Sequence, residues 1–483
     1  MKIDKRERYP VEEPLLFQPE PDLLSSSNRG EEEPLCGNYW ACVFNLTKGV
    51  LGAGMMALPR AVSLLGFWLG VGLLWLVASM TWISISRGIV HPVLKLLGWD
   101  TVQSRIPDYS GLVRSYMGNA VRLFNILFIA NALGFSVMFL DITADVLLGT
   151  DAIPGVLPDL LATLQAPSYL CSLLLNRHLF LALYTLLVVA PVCLRRDMAS
   201  LGSLNVAGLI ALAAFGLSLA WLSVAVIMQG TAHPLPAWPD LAAFATGGSS
   251  AVGQVLSLMT VLPVVLTASG CHLNILPLAG MMKPFNRKSM DSVVAVALAL
   301  TTFFYILMAI ASYTVFGEAI EEDILKNINP ATLQDIVGPV HARLISYTVR
   351  IAYVISLLGS TGLNNFPLRE AILDVFYGNS WYKEAAREKN FALNTGGILL
   401  TVYLLAAAVP SIWQVIGFVG SVTATNVSFI FPAIIMYLYG TSTFVGKTKT
   451  LYQSCAIFIL FVGAGIMANG VIPPLLQALM MTD

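Results

Sequence analysis

Small and polar residues interrupt the first apolar stretch of the chain, which runs from Tyr39 to Leu65. The interrupting residues are Thr47, Lys48, Gly49, Gly52, Ala53 and Gly54. Lipid makes unpaired backbone amides and charged side chains costly, so such a segment is tolerated only where it lines a cavity or is buried in protein. Pro59 follows closely and favours a broken helix. The pattern therefore predicts a cavity in which freed backbone groups and the Lys48 ammonium can contact a substrate.

A second apolar stretch, Leu262–Pro277, is interrupted in the same way, and both interruptions run into a Leu-Pro pair. Its interrupting residues are Thr267, Ala268, Ser269 and Gly270. His272 follows them and is the only histidine inside an apolar segment. The ordinary pKa of histidine, about 6.5, suits a proton relay. A hydrogen-bonded histidine that only packs between helices is the alternative.

Composition places these stretches in a membrane. The chain has 483 residues, of which 57% are hydrophobic and 11% charged, whereas soluble domains carry about 25% charged residues. A net charge of -1 without a basic stripe argues against a nucleic-acid partner. The six cysteines lack C-x-x-C spacing, which argues against a disulfide framework or a zinc site. The five histidines lie in separate segments without a nucleophile constellation, so we expect neither an enzyme nor a bound metal or cofactor.

Eleven apolar runs are long enough to cross about 30 Å of hydrocarbon. They lie at roughly 40–65, 66–90, 121–148, 178–194, 199–229, 251–280, 291–316, 343–366, 391–411, 412–439 and 452–475. If the N-terminus is cytosolic, inner loops hold fourteen lysines and arginines and outer loops and helix mouths hold five. Positive residues accumulate in cytosolic loops, so we expect the N-terminus in the cytosol.

The two interrupted stretches begin two sets of five helices. Because five is odd, the second set enters the membrane from the opposite side, which gives an inverted repeat with facing helix breaks. We therefore expect an all-α polytopic membrane protein with a LeuT-like 5+5 inverted repeat and one extra helix. The expected transporter domain spans 39–475, with repeats at 39–229 and 251–440, an eleventh helix at 452–475 and a short tail at 476–483.

Residues 1–38 are charged, proline-rich and without an apolar signal-peptide core, so we expect a disordered cytosolic tail. Its segments Glu12–Leu16 and Asp22–Leu24 resemble acidic dileucine signals that sorting adaptors recognise. A merely solvated acidic tail is the alternative.

Five motifs occur in order along the chain, and together they resemble the amino acid/auxin permease family. They are Phe44–Pro59, Thr267–Asn274, Tyr313–Gly317, Asn364–Arg369 and Gly420–Thr425. The first motif is most similar to the vacuolar amino acid exporter branch, and the family also includes the sodium-coupled neutral amino acid transporters. The resemblance implies a secondary active transporter of free amino acids that works by alternating access.

An amino acid substrate gives the two breaks complementary roles. The substrate carboxylate is expected against the amides of Gly52, Ala53 and Gly54, and its ammonium against carbonyls and hydroxyls of Thr267, Ala268 and Ser269. Thr47, Gly49 and Gly270 complete the expected site. The alternative is that the glycines serve close helix packing.

Lys48 decides the expected coupling ion. In the sodium-coupled branch an uncharged polar residue is usual at this position, whereas a lysine resembles proton-coupled relatives. Ser360 and Thr361 match positions where LeuT-like folds place sodium-ligating hydroxyls, so we expect Lys48 to donate to Ser360 and to replace a sodium ion. A static lysine satisfied by carbonyls of the break, or one that snorkels to the surface, is the alternative.

Four charged positions in apolar segments have weaker interpretations. Asp141 and Asp145 share a helix face and are either capped carboxylates or a proton site. Arg350 and Arg369 match family arginines and are expected to anchor gates or interfaces.

The leading hypothesis is a proton-coupled or otherwise sodium-independent amino acid transporter of the vacuolar or lysosomal membrane. A sodium-coupled symporter, with the plasma membrane as its site, is the neighbouring alternative. An amino-acid sensor would have the same pocket and also stays open.

Overall fold

The computed structural model describes residues 39–52, 54–98, 106–150, 153–196, 198–239, 261–282, 285–377, 390–408 and 419–480. The described helices of the first half are α1 (Tyr39–Val50), α2 (Gly54–Leu65), α3 (Phe67–Ile85), α4 (His91–Leu96), α5 (Tyr109–Met117), α6 (Val121–Leu148), α7 (Val156–Thr163), α8 (Ser168–Leu174), α9 (Arg177–Tyr184), α10 (Ala190–Cys193) and α11 (Gly202–Met228). Those of the second half are α12 (Leu262–Ala268), α13 (His272–Ala279), α14 (Arg287–Phe316), α15 (Ile324–Asn327), α16 (Pro330–Val337), α17 (Pro339–Tyr377), α18 (Phe391–Ala408), α19 (Phe431–Thr443) and α20 (Gly446–Met480).

Short irregular elements connect or interrupt these helices. One small antiparallel hairpin joins α6 to α7 through β1 (Gly149–Thr150) and β2 (Ile153–Pro154), with Gly149 opposite Pro154. Turns of π-helix occur at Ser86–Val90, Thr185–Val189, Val419–Ala424 and Asn426–Ile430, and turns of 3-10 helix at Gly118–Ala120, Met198–Leu201 and Gly317–Ala319.

The described part of the chain contains nine helical spans long and apolar enough to cross a membrane, or up to eleven if each of two bent pairs counts as one span. The bent pairs are α1 with α2, at 64°, and Ser168–Leu174 with Arg177–Cys193, at 72°. The expected count of eleven therefore stays a prediction. Several helices are longer than their apolar runs, such as α17, because hydrogen bonding continues past the hydrocarbon into polar residues.

Burial separates central spans from peripheral ones. The span Val419–Thr443 is 78% buried in the protein, whereas Phe391–Ala408 and Gly446–Gly470 are each only 28% buried. Peripheral spans expose large apolar side chains, including Ile210, Leu217 and Phe461, which is the surface that a bilayer requires. The buried elements around the two breaks therefore form the centre of the molecule.

Both interrupted helices lie in this centre. Helix α1 packs against α11 and α14, and α2 packs against α12 and α14. The long helix α17 packs against both α11 and α6. The expected N-terminal tail with its dileucine-like segments, and the expected beginning of the second repeat at 251–260, lie outside the described residues.

Candidate functional site

The first break is a short non-helical turn between α1 and α2. The Leu51 amide still bonds the Thr47 carbonyl at 2.9 Å, but the Gly52 amide turns back to the Val50 carbonyl at 2.8 Å. Gly54 begins α2 where there is no room for a side chain, because a Cβ atom there would lie 2.6 Å from the Cα atom of Ala268. Gly54 therefore supports the close-packing alternative as well as the break itself.

The second break separates α12 from α13, which together form one 18-residue span. The amides of Ser269 and Gly270 form tight bonds to the Leu266 and Thr267 carbonyls, at 3.2 and 3.1 Å. These bonds close α12 with a turn rather than continuing the helix. The direct contact of Gly54 with Ala268 then places the two breaks side by side.

Tyr305 of α14 joins the two breaks. Its hydroxyl lies 2.9 Å from the Val50 carbonyl oxygen and 2.9 Å from the Ala268 carbonyl oxygen. These residues end α1 and α12, where backbone carbonyls lack partners within their helix. Tyr305 was missed in the sequence, where a tyrosine within an apolar helix gives no sign of what its hydroxyl contacts.

A small cavity opens beside the joined breaks, and we call it the break cavity. Its lining includes six predicted site residues: Gly49, Gly52, Gly54, Thr267, Gly270 and Ser360. The lining also includes Val50, Phe135, Phe139, Leu273, Asn274, Leu363 and Asn364. No described residue of this lining carries a charge. The space open to water is about 40 Å³.

Lys48 lies behind the break cavity and is fully buried. Its Nζ donates to Ser360 Oγ at 2.6 Å, which is the expected hydrogen bond. The side chain is therefore neither snorkelling nor bound to carbonyls of the break. Two glycines that were missed in the sequence leave space for this side chain. A Cβ atom added to Gly208 of α11 would lie 2.7 Å from Lys48 Cε, and one added to Gly359 of α17 would lie 3.6 Å from it.

Four other predicted residues lie apart from the break cavity lining. Thr361 donates to the Leu357 carbonyl at 2.9 Å and lines a different cavity. Ala268 and Ser269 are buried, and Thr47 Oγ1 is buried without a hydrogen-bond partner. Ala53 lies outside the described residues.

His272 also points away from the break cavity. Its Nε2 lies 3.2 Å from Ser84 Oγ, and that hydroxyl donates to the Ser428 carbonyl at 2.8 Å. The hydroxyl proton is thus used, so Nε2 carries the ring proton and donates to Ser84. The ring meets Phe429 edge-on, with centroids 5.6 Å apart. This environment supports the packing alternative for His272.

The charged positions of the other helices have structural partners. Arg177 bonds Asp145 at 2.5 Å and Asp141 at 3.3 Å, which supports the interpretation as capped carboxylates. Arg350 donates to the Pro154 carbonyl at 2.8 Å. Arg369 donates to Thr395 at 3.2 Å, and its guanidinium lies 4.2 Å from the centre of a neighbouring phenylalanine ring.

Comparison of the sequence with known proteins identifies one family. The profile described as "Transmembrane amino acid transporter protein" matches residues 37–473. Amino acid transporter AVT6E of Arabidopsis thaliana is 28% identical over 417 residues, which are 86% of this chain and 78% of that protein. Putative sodium-coupled neutral amino acid transporter 11 of Bos taurus is 24% identical, over 93% of this chain and 88% of that protein. Vacuolar amino acid transporter 5 of Saccharomyces cerevisiae is 26% identical, over 59% and 65%.

Comparison of the fold identifies solved transporters. The structure of MhsT in complex with L-phenylalanine has a TM-score of 0.55 at 10% identity, and covers 91% of this chain and 100% of that one. The structure of Mhp1, a nucleobase-cation-symport-1 family transporter with bromovinylhydantoin bound, has a TM-score of 0.53 at 10% identity, over 90% and 93%. At this identity the likeness shows the fold alone. It confirms the expected LeuT-like class.

Proposed function

We propose that this chain, which belongs to the transmembrane amino acid transporter family, is a secondary active transporter of free amino acids that works by alternating access. Membership of the family confirms the resemblance drawn from the five motifs, and the relatives are transporters rather than enzymes. The observation that supports the proposal most directly is the break cavity, beside which one tyrosine hydroxyl contacts a carbonyl of each helix break.

The break cavity supplies complementary ends for a zwitterion. Helix α2 begins at Gly54 and directs the positive end of its dipole towards the cavity, which suits the substrate carboxylate. Helices α1 and α12 end at the same place and direct their negative ends and last carbonyls there, which suits the ammonium. Tyr305 holds one carbonyl of each end in place. The Val50 carbonyl also accepts from the Gly52 amide, so of these two oxygens it is that of Ala268 that keeps a lone pair for the substrate.

The break cavity is too small for an amino acid as it stands. A buried water needs about 10–15 Å³ of such space, so 40 Å³ holds about three waters and is smaller than an amino acid. Binding therefore requires the surrounding helices or side chains to move. Such movement around a central site is what alternating access demands.

Lys48 provides the basis for a sodium-independent mechanism. Its ammonium is bound to the hydroxyl that a sodium ion would use, because Ser360 Oγ accepts from Nζ at 2.6 Å. No carboxylate among the described residues forms an ion pair with Lys48. The ammonium can therefore release and rebind its proton as the helices rearrange, which couples proton movement to transport.

The names of relatives favour an endomembrane. Vacuolar amino acid transporter 5 of Saccharomyces cerevisiae suggests the vacuolar or lysosomal membrane, with the N-terminus in the cytosol. The bovine relative is named for sodium coupling, which makes a sodium-coupled symporter the second candidate. The occupied Ser360 hydroxyl favours the proton-coupled alternative.

The test is uptake of labelled amino acids into liposomes that contain the purified protein, under a proton gradient and then under a sodium gradient. We expect proton-driven uptake that is indifferent to sodium and changes its pH dependence in Lys48→Ala. Lys95→Ala is the matched control, because Lys95 also donates to a hydroxyl, that of Thr443 at 2.8 Å, but at an exposed position. Sodium-driven uptake by wild type would assign the protein to the symporter alternative. Binding without uptake under either gradient would favour a sensor.

A further inference from the structure

A second cavity lies beside α6, and we call it the side cavity. It is bounded by α6, the π-helical turn Thr185–Val189, α17 and α18. Its polar lining residues are Ser136, Thr143, Tyr184, Thr185, Thr361 and Asn365. No described residue of its lining carries a charge. The space open to water is about 10 Å³, enough for one water molecule.

One side chain borders both the side cavity and the break cavity. Phe139 lines both of them. A Cβ atom added to Gly52 would lie 3.7 Å from Phe139 Cε1, so the ring is within contact distance of the first break. On α6 it stacks on Phe135, with centroids 6.1 Å apart and planes inclined by 27°. The ring therefore lies between the first break and the side cavity lining.

Two residues of the side cavity lining have a buried polar atom without a hydrogen-bond partner. The two atoms are Asn365 Oδ1 and Thr185 Oγ1, in side chains only 4% and 8% exposed. A buried polar atom left unpaired costs about 1–3 kcal/mol, so such atoms are normally paired with water or a ligand. By contrast, Thr143 Oγ1 donates to the Phe139 carbonyl at 2.8 Å. Thr185 also begins a π-helical turn, a feature frequent at functional sites.

We propose that the side cavity receives the side chain of the transported amino acid once Phe139 rotates, and that it selects an uncharged side chain with both a donor and an acceptor. The inference rests on the proposed transport function. A carboxamide offers the matching groups, an NH₂ donor for Asn365 Oδ1 and a carbonyl acceptor for the Thr185 hydroxyl. An acidic or basic side chain would bury a charge without a partner there, which is costly.

The first test needs no variant. Purified wild-type protein in liposomes is given alanine, glutamine, methionine and glutamate, and KM for uptake is measured for each. Glutamine, methionine and glutamate differ little in size but differ in hydrogen bonding and charge. We expect KM for glutamine to be at least about tenfold lower than for methionine or glutamate, as the loss of one or two hydrogen bonds implies. Equal KM values for the three would overturn the proposal.

Variants then locate the selection. We expect Asn365→Leu and Thr185→Val each to raise KM for glutamine about tenfold or more while KM for alanine changes less than about twofold. We expect Phe139→Trp to impair glutamine uptake more than alanine uptake, because a larger ring hinders opening. Thr401→Val is the control, since its hydroxyl donates to the Gly397 carbonyl at 2.9 Å on an exposed face of α18.

The outcomes separate this proposal from the proposed function. Equal losses for alanine and glutamine in the variants would mean that these residues only support the fold, and no change for either would mean that the cavity holds only water. Either result overturns the side cavity as a subsite and leaves amino acid transport intact. If wild type neither takes up any of the four amino acids nor gains thermal stability from them, the proposed function itself fails.

Discussion

Gly208→Ala is expected to displace the Lys48 side chain from Ser360. The new Cβ atom would lie 2.7 Å from Lys48 Cε, whereas ordinary contacts begin at 3.4 Å. The Lys48 side chain must therefore retreat by about 0.7 Å. A movement of that size along the bond would lengthen the Nζ–Oγ distance of 2.6 Å to about 3.3 Å. The hydrogen bond would be weakened severely or lost.

Two opposing free energies decide the sign of the effect on stability. A hydrogen bond to a charged group contributes about 1.5–3 kcal/mol. Alanine in place of glycine within a helix stabilises it by about 0.5–1 kcal/mol. The loss exceeds the gain, so we expect Gly208→Ala to destabilise the protein by about 0.5–2.5 kcal/mol. Gly202→Ala, in the same helix, meets nothing within 4 Å and should be neutral or stabilising.

A double-mutant cycle with Lys48→Ala makes this prediction specific. Without the long side chain the Cβ atom at position 208 has space, so Gly208→Ala should stabilise the Lys48→Ala protein. The expected coupling energy between the two positions is about 1.5–3 kcal/mol. Thermal unfolding of the four proteins in detergent measures the sign of each step, and the pH profile of uptake reports on Lys48 in parallel.

The reasoning is refuted if Gly208→Ala raises the unfolding temperature equally in both backgrounds. It is also refuted if Gly208→Ala leaves both stability and pH profile unchanged in the presence of Lys48. A loss of stability in Gly202→Ala as large as in Gly208→Ala would show a general intolerance of α11 to alanine rather than contact with Lys48.

Three further predictions address the breaks and the outer surface. Tyr305→Phe removes the single hydroxyl proton shared by the Val50 and Ala268 carbonyls and should weaken substrate affinity roughly 5- to 30-fold. Tyr353→Phe removes a buried hydroxyl without a partner and should leave the affinity unchanged. Equal effects of the two variants in a binding assay would contradict this. Gly54→Ala should abolish uptake because its Cβ atom would lie only 2.6 Å from the backbone of the second break. Gly72→Ala, where the Cβ atom has open space, should leave uptake unchanged. Normal uptake by Gly54→Ala would contradict the packing of the two breaks against each other. Burial raises the pKa of Asp323, which precedes α15, from 3.8 to about 6. The folded protein therefore holds this proton up to a higher pH than the unfolded chain. As the pH falls from above 6 towards 3.8, the free energy of unfolding of wild type should rise by up to about 2 kcal/mol, after allowance for the partial exposure of the side chain. In Asp323→Asn, which keeps an oxygen for the 2.9 Å bond from the Leu325 amide, that gain should vanish; identical pH curves of unfolding temperature would exclude this origin.

The chemistry of lipid made several features predictable from sequence. Glycines at Gly52 and Gly54, followed by a proline, cannot continue a lipid-exposed helix, so a break and a cavity were both expected. The structure has the break at this place, with Gly52 and Gly54 in the lining. Lys48 was expected to be buried and to donate to Ser360 because of the resemblance, and that contact is present. Its role in coupling remains a prediction.

Other features depended on how helices rotate about their axes. Adjacent residues of a helix point about 100° apart, so Ser360 lines the break cavity while Thr361 lines the side cavity. His272 follows the second break directly but turns towards Ser84. In helices that are apolar on all sides, periodicity does not indicate which face meets which neighbour. The sequence therefore could not show that these two residues lie outside the break cavity.

By itself, the sequence determined the family, the membrane-spanning class and the positions of both helix breaks, because each follows from local composition or from short motifs. Only the tertiary structure decided that Tyr305 joins the breaks, that Gly208 makes room for Lys48 and that Phe139 lines two cavities. These are contacts between helices far apart in sequence. They depend on shape complementarity among side chains of nearly uniform polarity, which a linear pattern of residues does not specify.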